Sequence, residues 1–268
     1  MNKLWLLFKF ELKNNIKQIE GWTIALSFIL GIYMFLFDSI KEIGIAKLEG
    51  MPEELLQLLN IDSLLIMENY TLFYGTILGL LLIVESVFES TFGVGLIRNE
   101  EKNKSIEYKA ALNISRIQIY YSKLLVLITG IFIILISINL VGVMLGYIKG
   151  GDTFILNDVI KISLYTSIIP IFFGLISMGI SGITYKLGTG NVAGAIIAIS
   201  YLGGYMTSFV EENIAESLKY ISPFIVFSTN DILKESSNML VVYTTYLILS
   251  LVVAIIGSYC YKNRDLNI

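Results

Sequence analysis

The chain reads as an all-α integral membrane protein. It has six transmembrane helices, an N-terminal interfacial amphipathic helix and a short cytoplasmic helix between the second and third spans. Three observations predict this. Of the 268 residues, 55% are hydrophobic and only 15% charged, with a mean hydropathy of +0.74; soluble domains carry about 25% charged residues. Apolar runs recur at about 20 residues, the length a helix needs to cross a hydrocarbon core of about 30 Å. Lys and Arg collect on alternate connections. Helix is then obligatory, because lipid offers backbone groups no water.

Residues 1–20 form the first element. Trp5, Phe8, Leu12, Ile16 and Ile19 share one helical face, and Lys9, Lys13 and Lys17 line another, as in a helix lying among anionic headgroups. Lys9 and Glu11 interrupt the apolar stretch and no small-residue cleavage site follows, so the segment does not read as a signal peptide. Six spans follow, at about Trp22–Phe37, Tyr70–Gly95, Leu124–Ile148, Ile162–Tyr185, Asn191–Val210 and Met239–Tyr261. They make one domain, 1–268. In the first outer loop, GMPEELLQLLNID suggests a surface helix, with Pro52 in its first turn and Glu53 and Glu54 at its positive end. The segment 211–238 is too apolar for a plain loop, and Pro223 within ISPFIVFS predicts a helix break and a partial re-entry into the bilayer. Pro170 predicts a kink in the fourth span. Gly174, Gly179, Gly182, Gly194, Gly203 and Gly204 allow close helix packing.

With the N-terminus inside, the inner segments hold 13 Lys and Arg against six outside. The positive-inside rule then places both termini in the cytoplasm, in a multi-pass protein of the cell membrane.

Composition excludes several chemistries. The chain has no histidine, which removes the commonest general base and metal ligand. The single cysteine, Cys260, cannot form an internal disulfide. No HExxH, GxSxG or GxxxxGK[ST] motif occurs, and the glycine cluster YKLGTGNVAG lacks the lysine of a phosphate loop. No catalytic residue and no metal site are predicted. A net charge of −3 gives no field for nucleic acid.

The longest polar stretch is Arg98–Lys123, RNEEKNKSIEYKAALNISRIQIYYSK. Glu100–Leu112 makes an amphipathic helix, with Ile106, Tyr108, Ala110, Ala111 and Leu112 interleaved with Lys102, Lys104, Glu107 and Lys109. Asn113–Arg116 breaks that pattern, and Ser115 suits an N-cap for the third span.

This loop resembles that of permease subunits in type-2 ATP-binding-cassette (ABC) exporters, which have the form E-x-x-x-G-T-x-E-x-L-L-x-x-P-[IV]-S-R followed by a Lys at the third span. Glu100, Ser105 (in the threonine place), Glu107, Ile114, Ser115, Arg116 and Lys123 match; Lys104 replaces the glycine and Asn113 the proline. The tail YKNRDLNI, with Arg264 and Asp265, is similar to the family's [KR]-R-D ending. The resemblance implies a transport subunit rather than an enzyme. Its coupling helix, Ser105–Asn113, would dock on a separate ATPase. Two ATPase copies would bind ATP and magnesium, this chain itself binding no cofactor. A second permease, identical or homologous, would complete the path through the lipid bilayer. Glu100, Ser105, Ile106, Glu107, Tyr108, Ser115 and Arg116 become the coupling residues. The cargo would leave the cell as an amphipathic or peptide-like molecule.

Glu85 and Glu89 stand one helical turn apart on one face of the second span, Glu85 about 22 Å in from Tyr70. Ionisable groups at such depth are costly and often functional, so the pair is a candidate for the translocation path, alongside a structural pairing or an inner vestibule open to water. Two rival readings stand beside the exporter. One is an immunity or sensor protein of the same fold that binds a peptide or lipid without transport. The other is a membrane enzyme, for which Glu85 and Glu89 supply too few groups.

Overall fold

The computed structural model describes residues 3–49, 66, 68–102, 114–184, 189–205, 219–234 and 238–263. Every element among them is helical: α1 (Lys3–Phe35), α2 (Phe37–Glu49), α3 (Tyr70–Lys102), α4 (Arg116–Lys149), a 3-10 turn (Gly151–Thr153), α5 (Leu156–Thr166), α6 (Ile168–Ile183), α7 (Thr189–Tyr205), α8 (Pro223–Val226), α9 (Thr229–Leu233) and α10 (Met239–Asn263).

Among the described residues five helical stretches are long and apolar enough to cross a membrane: α1, α3, α4, α5 with α6, and α10. The outward faces of these helices are apolar. Phe28, Leu140, Ile248, Leu249 and Ile255 are all exposed, which suits a surface solvated by acyl chains. The predicted fifth span, Asn191–Val210, corresponds to α7 over the described residues 189–205, and its remainder lies outside them.

Two expectations shift in detail. The N-terminal amphipathic segment is not a separate element, because α1 runs unbroken for 33 residues through Gly21 into the first span. Ile19 and Glu11 on its former "interfacial" half are buried against the bundle. The bend in the fourth span falls at Ser167, ahead of Pro170. Proline has no N–H to donate to the carbonyl four residues back, here Thr166, so the ladder opens there and α6 restarts with Pro170 in its first turn. Pro223 sits at the first position of α8, after the non-helical residues 220–222. The surface helix expected around Pro52, the turn at 185–188 and the tail pair Arg264 and Asp265 lie outside the described residues.

The bundle is organised by α3 and α6. α1 lies along α4, while α6 is flanked by α3 on one side and α10 on the other. At its N-terminal end α3 is fastened to its neighbours by polar contacts. The Tyr70 hydroxyl donates to Gly142 O at 2.7 Å, and the Thr71 hydroxyl donates to Thr153 O at 2.9 Å. The Tyr74 hydroxyl meets Asn139 and Ser163. Lys149 pairs with Asp38 of α2 at 2.9 Å. The segment α8–α9 folds back onto α3, α5, α6 and α7, with Val226, Phe227 and Ile232 buried.

Candidate functional site

The C-terminal end of α3 and the N-terminal end of α4 bracket the polar loop. Ser105, Ile106, Glu107 and Tyr108 lie outside the described residues, and Glu100 falls in the last turn of α3, its side chain likewise outside them. What is described is the point where the chain leaves the loop. Ser115 is extended (φ −72°, ψ 145°) and caps α4. Gln118 N donates to Ser115 Oγ at 3.3 Å, and Ser115 N donates to Gln118 Oε1 at 3.1 Å. This reciprocal capping box satisfies two donors that a helix start otherwise leaves open. Ser115→Ala is expected to cost about 1 kcal/mol of stability, read as a lower thermal midpoint of the purified chain; an unchanged midpoint would mean the cap is not formed.

The first two turns of α4 then fasten to three other helices. Arg116 Nη1 donates to Lys262 O at the end of α10 at 3.4 Å. The Tyr120 hydroxyl donates to Ala254 O at 2.9 Å, and its ring packs 5.8 Å from that of Tyr261. Lys123 is 1% exposed; its Nζ donates to Leu96 O of α3 and stands 3.8 Å from Glu11 Oε2 of α1. Glu11 is itself 3% exposed. A buried ammonium therefore ties α1, α3 and α4 together directly above the loop. Sequence reasoning placed Lys123 in the loop motif but missed its partner. The available signal was Glu11 itself, a carboxylate beside Phe8 and Leu12 on the apolar stripe, where only a pairing would keep it.

The structure brings Glu85 and Glu89 together on the inward face of α3, both 0% exposed. Glu89 lies where α3, α4 and α6 meet: a Cβ at Gly174 would touch Glu89 Cβ at 3.5 Å and Ile131 Cδ1 at 3.3 Å. Neither carboxyl group has a hydrogen-bond partner among the described residues. The structural pairing weighed from the sequence is therefore not seen among them.

A cavity of about 330 Å³ opens on the opposite side of α3, toward its N-terminal half. Leu72 to Ile83 of α3 form one wall, and α8 and α9 form another. Tyr201, Phe224 and Phe227 give it aromatic surfaces, and Thr76, Thr166 and Asn230 give it neutral polar groups. Among the described residues no charged side chain lines it. Sequence reading missed this site because its walls come from four distant segments.

Long helices with apolar outward faces define a multi-pass integral membrane protein. A family model described as "Multidrug efflux system permease Rv1217c, C-terminal domain" matches residues 8–262, and the chain belongs to that family. It is thus a transport permease. No curated protein and no solved structure matches it.

Proposed function

We propose that the chain is the permease subunit of an ATP-driven ABC exporter, forming half of a translocation path with a second permease and coupled to a separate pair of ATPase subunits. The observation that carries this reading is the anchorage of α4 immediately after the loop. Capping by Ser115, and contacts from Arg116, Tyr120 and Lys123 to α10, α3 and α1, make the loop exit a stiff lever. A push on the Ser105–Asn113 segment would reach four helices at once. The match of Glu100, Ser105, Glu107, Ile114, Ser115 and Arg116 to the exporter loop supports the same reading.

Efflux in the family description supports outward movement. The outer cavity, uncharged and partly aromatic, favours an amphipathic cargo held by burial and a few neutral hydrogen bonds. The loop, rich in Lys and Arg, would face the cytoplasm with both termini. There Ile106 and Tyr108 would anchor in the ATPase groove, and Lys102, Lys104, Lys109 and Arg116 would supply charge complementarity.

Purification of the chain under mild detergent from its native host tests this. The expected result is a stoichiometric partner carrying a GxxxxGK[ST] loop, lost on Glu107→Arg. Tyr108→Ala is expected to leave ATPase activity in place while abolishing drug efflux from cells. A chain that runs without an ATPase, with efflux unaffected by both changes, would overturn the reading in favour of the sensor or immunity role.

A further inference from the structure

Five buried oxygens at the α3–α6 contact lack any hydrogen-bond partner among the described residues: both carboxyl oxygens of Glu85, both of Glu89, and Ser177 Oγ. All three residues are 0% exposed. All three lie along the seam where α3 and α6 pack. Ser90 Oγ lies 3.4 Å from Phe173 O, and Ser181 Oγ lies 3.3 Å from Val94 O. Ser177 stands between Phe173 and Ser181 on that same α6 stripe, at helical spacing. Gly174, one turn outward from Ser177, leaves the room that Glu89 fills.

We propose that Glu85, Glu89 and Ser177 form an oxygen-lined site for one small monovalent cation, a proton or a sodium ion, at the centre of the bundle. Two carboxylates cannot both remain charged in an apolar junction without compensation. Among the described residues the facing elements α4 and α6 supply none. At Gly174, α4 presents Leu127 and Ile131. α6 carries no ionisable side chain. The next cation along α4, Lys123, is held by Glu11 and Leu96 one turn toward the cytoplasm. Tyr74 on the same side of α3 is bound to Asn139 and Ser163.

The occupant must also be small. All three residues are 0% exposed, and none lines the outer cavity or the lipid-facing groove along α1, a closed packing that suits a small ion rather than an organic ammonium. An all-oxygen donor set suits a hard ion, and three side chains are few for a divalent cation that takes six or more ligands. The site sits behind the wall of the outer cavity, because both lie on α3. Loading and release would therefore bear on the α3–α6 contact on which that wall is built. This inference does not depend on the ATPase pairing and is tested without an ATPase.

The probe is dicyclohexylcarbodiimide, an apolar reagent that modifies protonated carboxyl groups buried in membranes. The purified full chain is labelled in detergent, and the adduct is mapped by peptide mass. Modification of Glu85 or Glu89 is expected. If the ion is sodium, added sodium at fixed pH slows the reaction and equal potassium does not. If it is a proton, the rate falls as pH rises and sodium has no effect. Ser177→Ala is expected to shift the midpoint of whichever dependence is found by about fivefold in cation concentration, the effect of losing one contact of hydrogen-bond strength. Modification at a rate indifferent to both pH and sodium would overturn the proposal, as would no adduct on either glutamate, or a Ser177→Ala midpoint identical to the parent. Because the adduct is located in the unaltered chain, failure of a Glu85→Gln variant to fold would not blur the outcome.

Discussion

Lys123→Ala is expected to destabilise the protein by roughly 3–5 kcal/mol, the cost of removing one partner from a buried ion pair. Lys123 and Glu11 have side chains 2% and 4% exposed, so water cannot replace the lost contact. The ammonium also donates to Leu96 O, so its removal loosens α3 as well as α1. And α1 packs along α4 over much of its length, so a charge stranded on Glu11 sits inside that seam. Thermal unfolding of the detergent-solubilised chain should show a large fall in midpoint. Pairing Lys123→Met with Glu11→Gln should recover most of it, because neither side chain then carries an unpartnered charge. A small effect of the single change, or no recovery in the pair, would show that the two groups do not meet in a dry site.

The pair also marks the boundary of what the amino-acid sequence discloses. Hydropathy is a local property, so α10 was legible to within a few residues and the apolar stretches of α3 and α4 were found while their polar ends were not; the cap at Ser115 was legible from residue type alone. Continuity through Lys13, Lys17 and Gly21 was not. Polar residues say where a helix meets water, but its backbone ladder runs on regardless, so the interfacial segment and first span became one helix of 33 residues. Prolines were legible as events but not as positions. Pro170 acts on the carbonyl of Thr166, and Pro223, needing no donor at a first turn, opens α8. Glu85 and Glu89 could be placed on one face by spacing. That α6 would meet Glu89 with Gly174, and that both glutamates would stand away from the cavity, depended on how α3 and α6 cross, which no local pattern encodes. The Glu11–Lys123 contact joins the first helix to the third span and has the same origin.

Gly179 and Gly257 mark the tightest crossing described, and substituting either is the second large effect expected. A Cβ on Gly179 would lie 2.6 Å from Val253 O, and one on Gly257 would lie 2.5 Å from Gly179 O. Gly182 repeats the pattern one turn on, 2.5 Å from Gly257 O. These are backbone atoms, which cannot swing aside as a side-chain tip can, so α6 and α10 must separate to admit even a methyl group. Separation strips dispersion contacts along the whole seam, which in a bilayer is a main source of helix association. Gly179→Ala is accordingly expected to cost about 1–3 kcal/mol, and Gly179→Leu to prevent assembly of the native bundle. Gly21 and Gly79 provide the internal contrast, since a Cβ at either meets nothing within 4 Å. There Ala should stabilise by roughly 0.5–1 kcal/mol through helix propensity alone. Opposite signs at Gly179 and Gly21, read from thermal midpoints of the same purified chain, would establish that α6 and α10 meet backbone to backbone. Equal signs would place the two helices further apart than the structure does. The same seam carries a functional consequence: α10 ends at the Lys262 carbonyl that Arg116 holds, so a widened crossing also releases the far anchor of the loop exit.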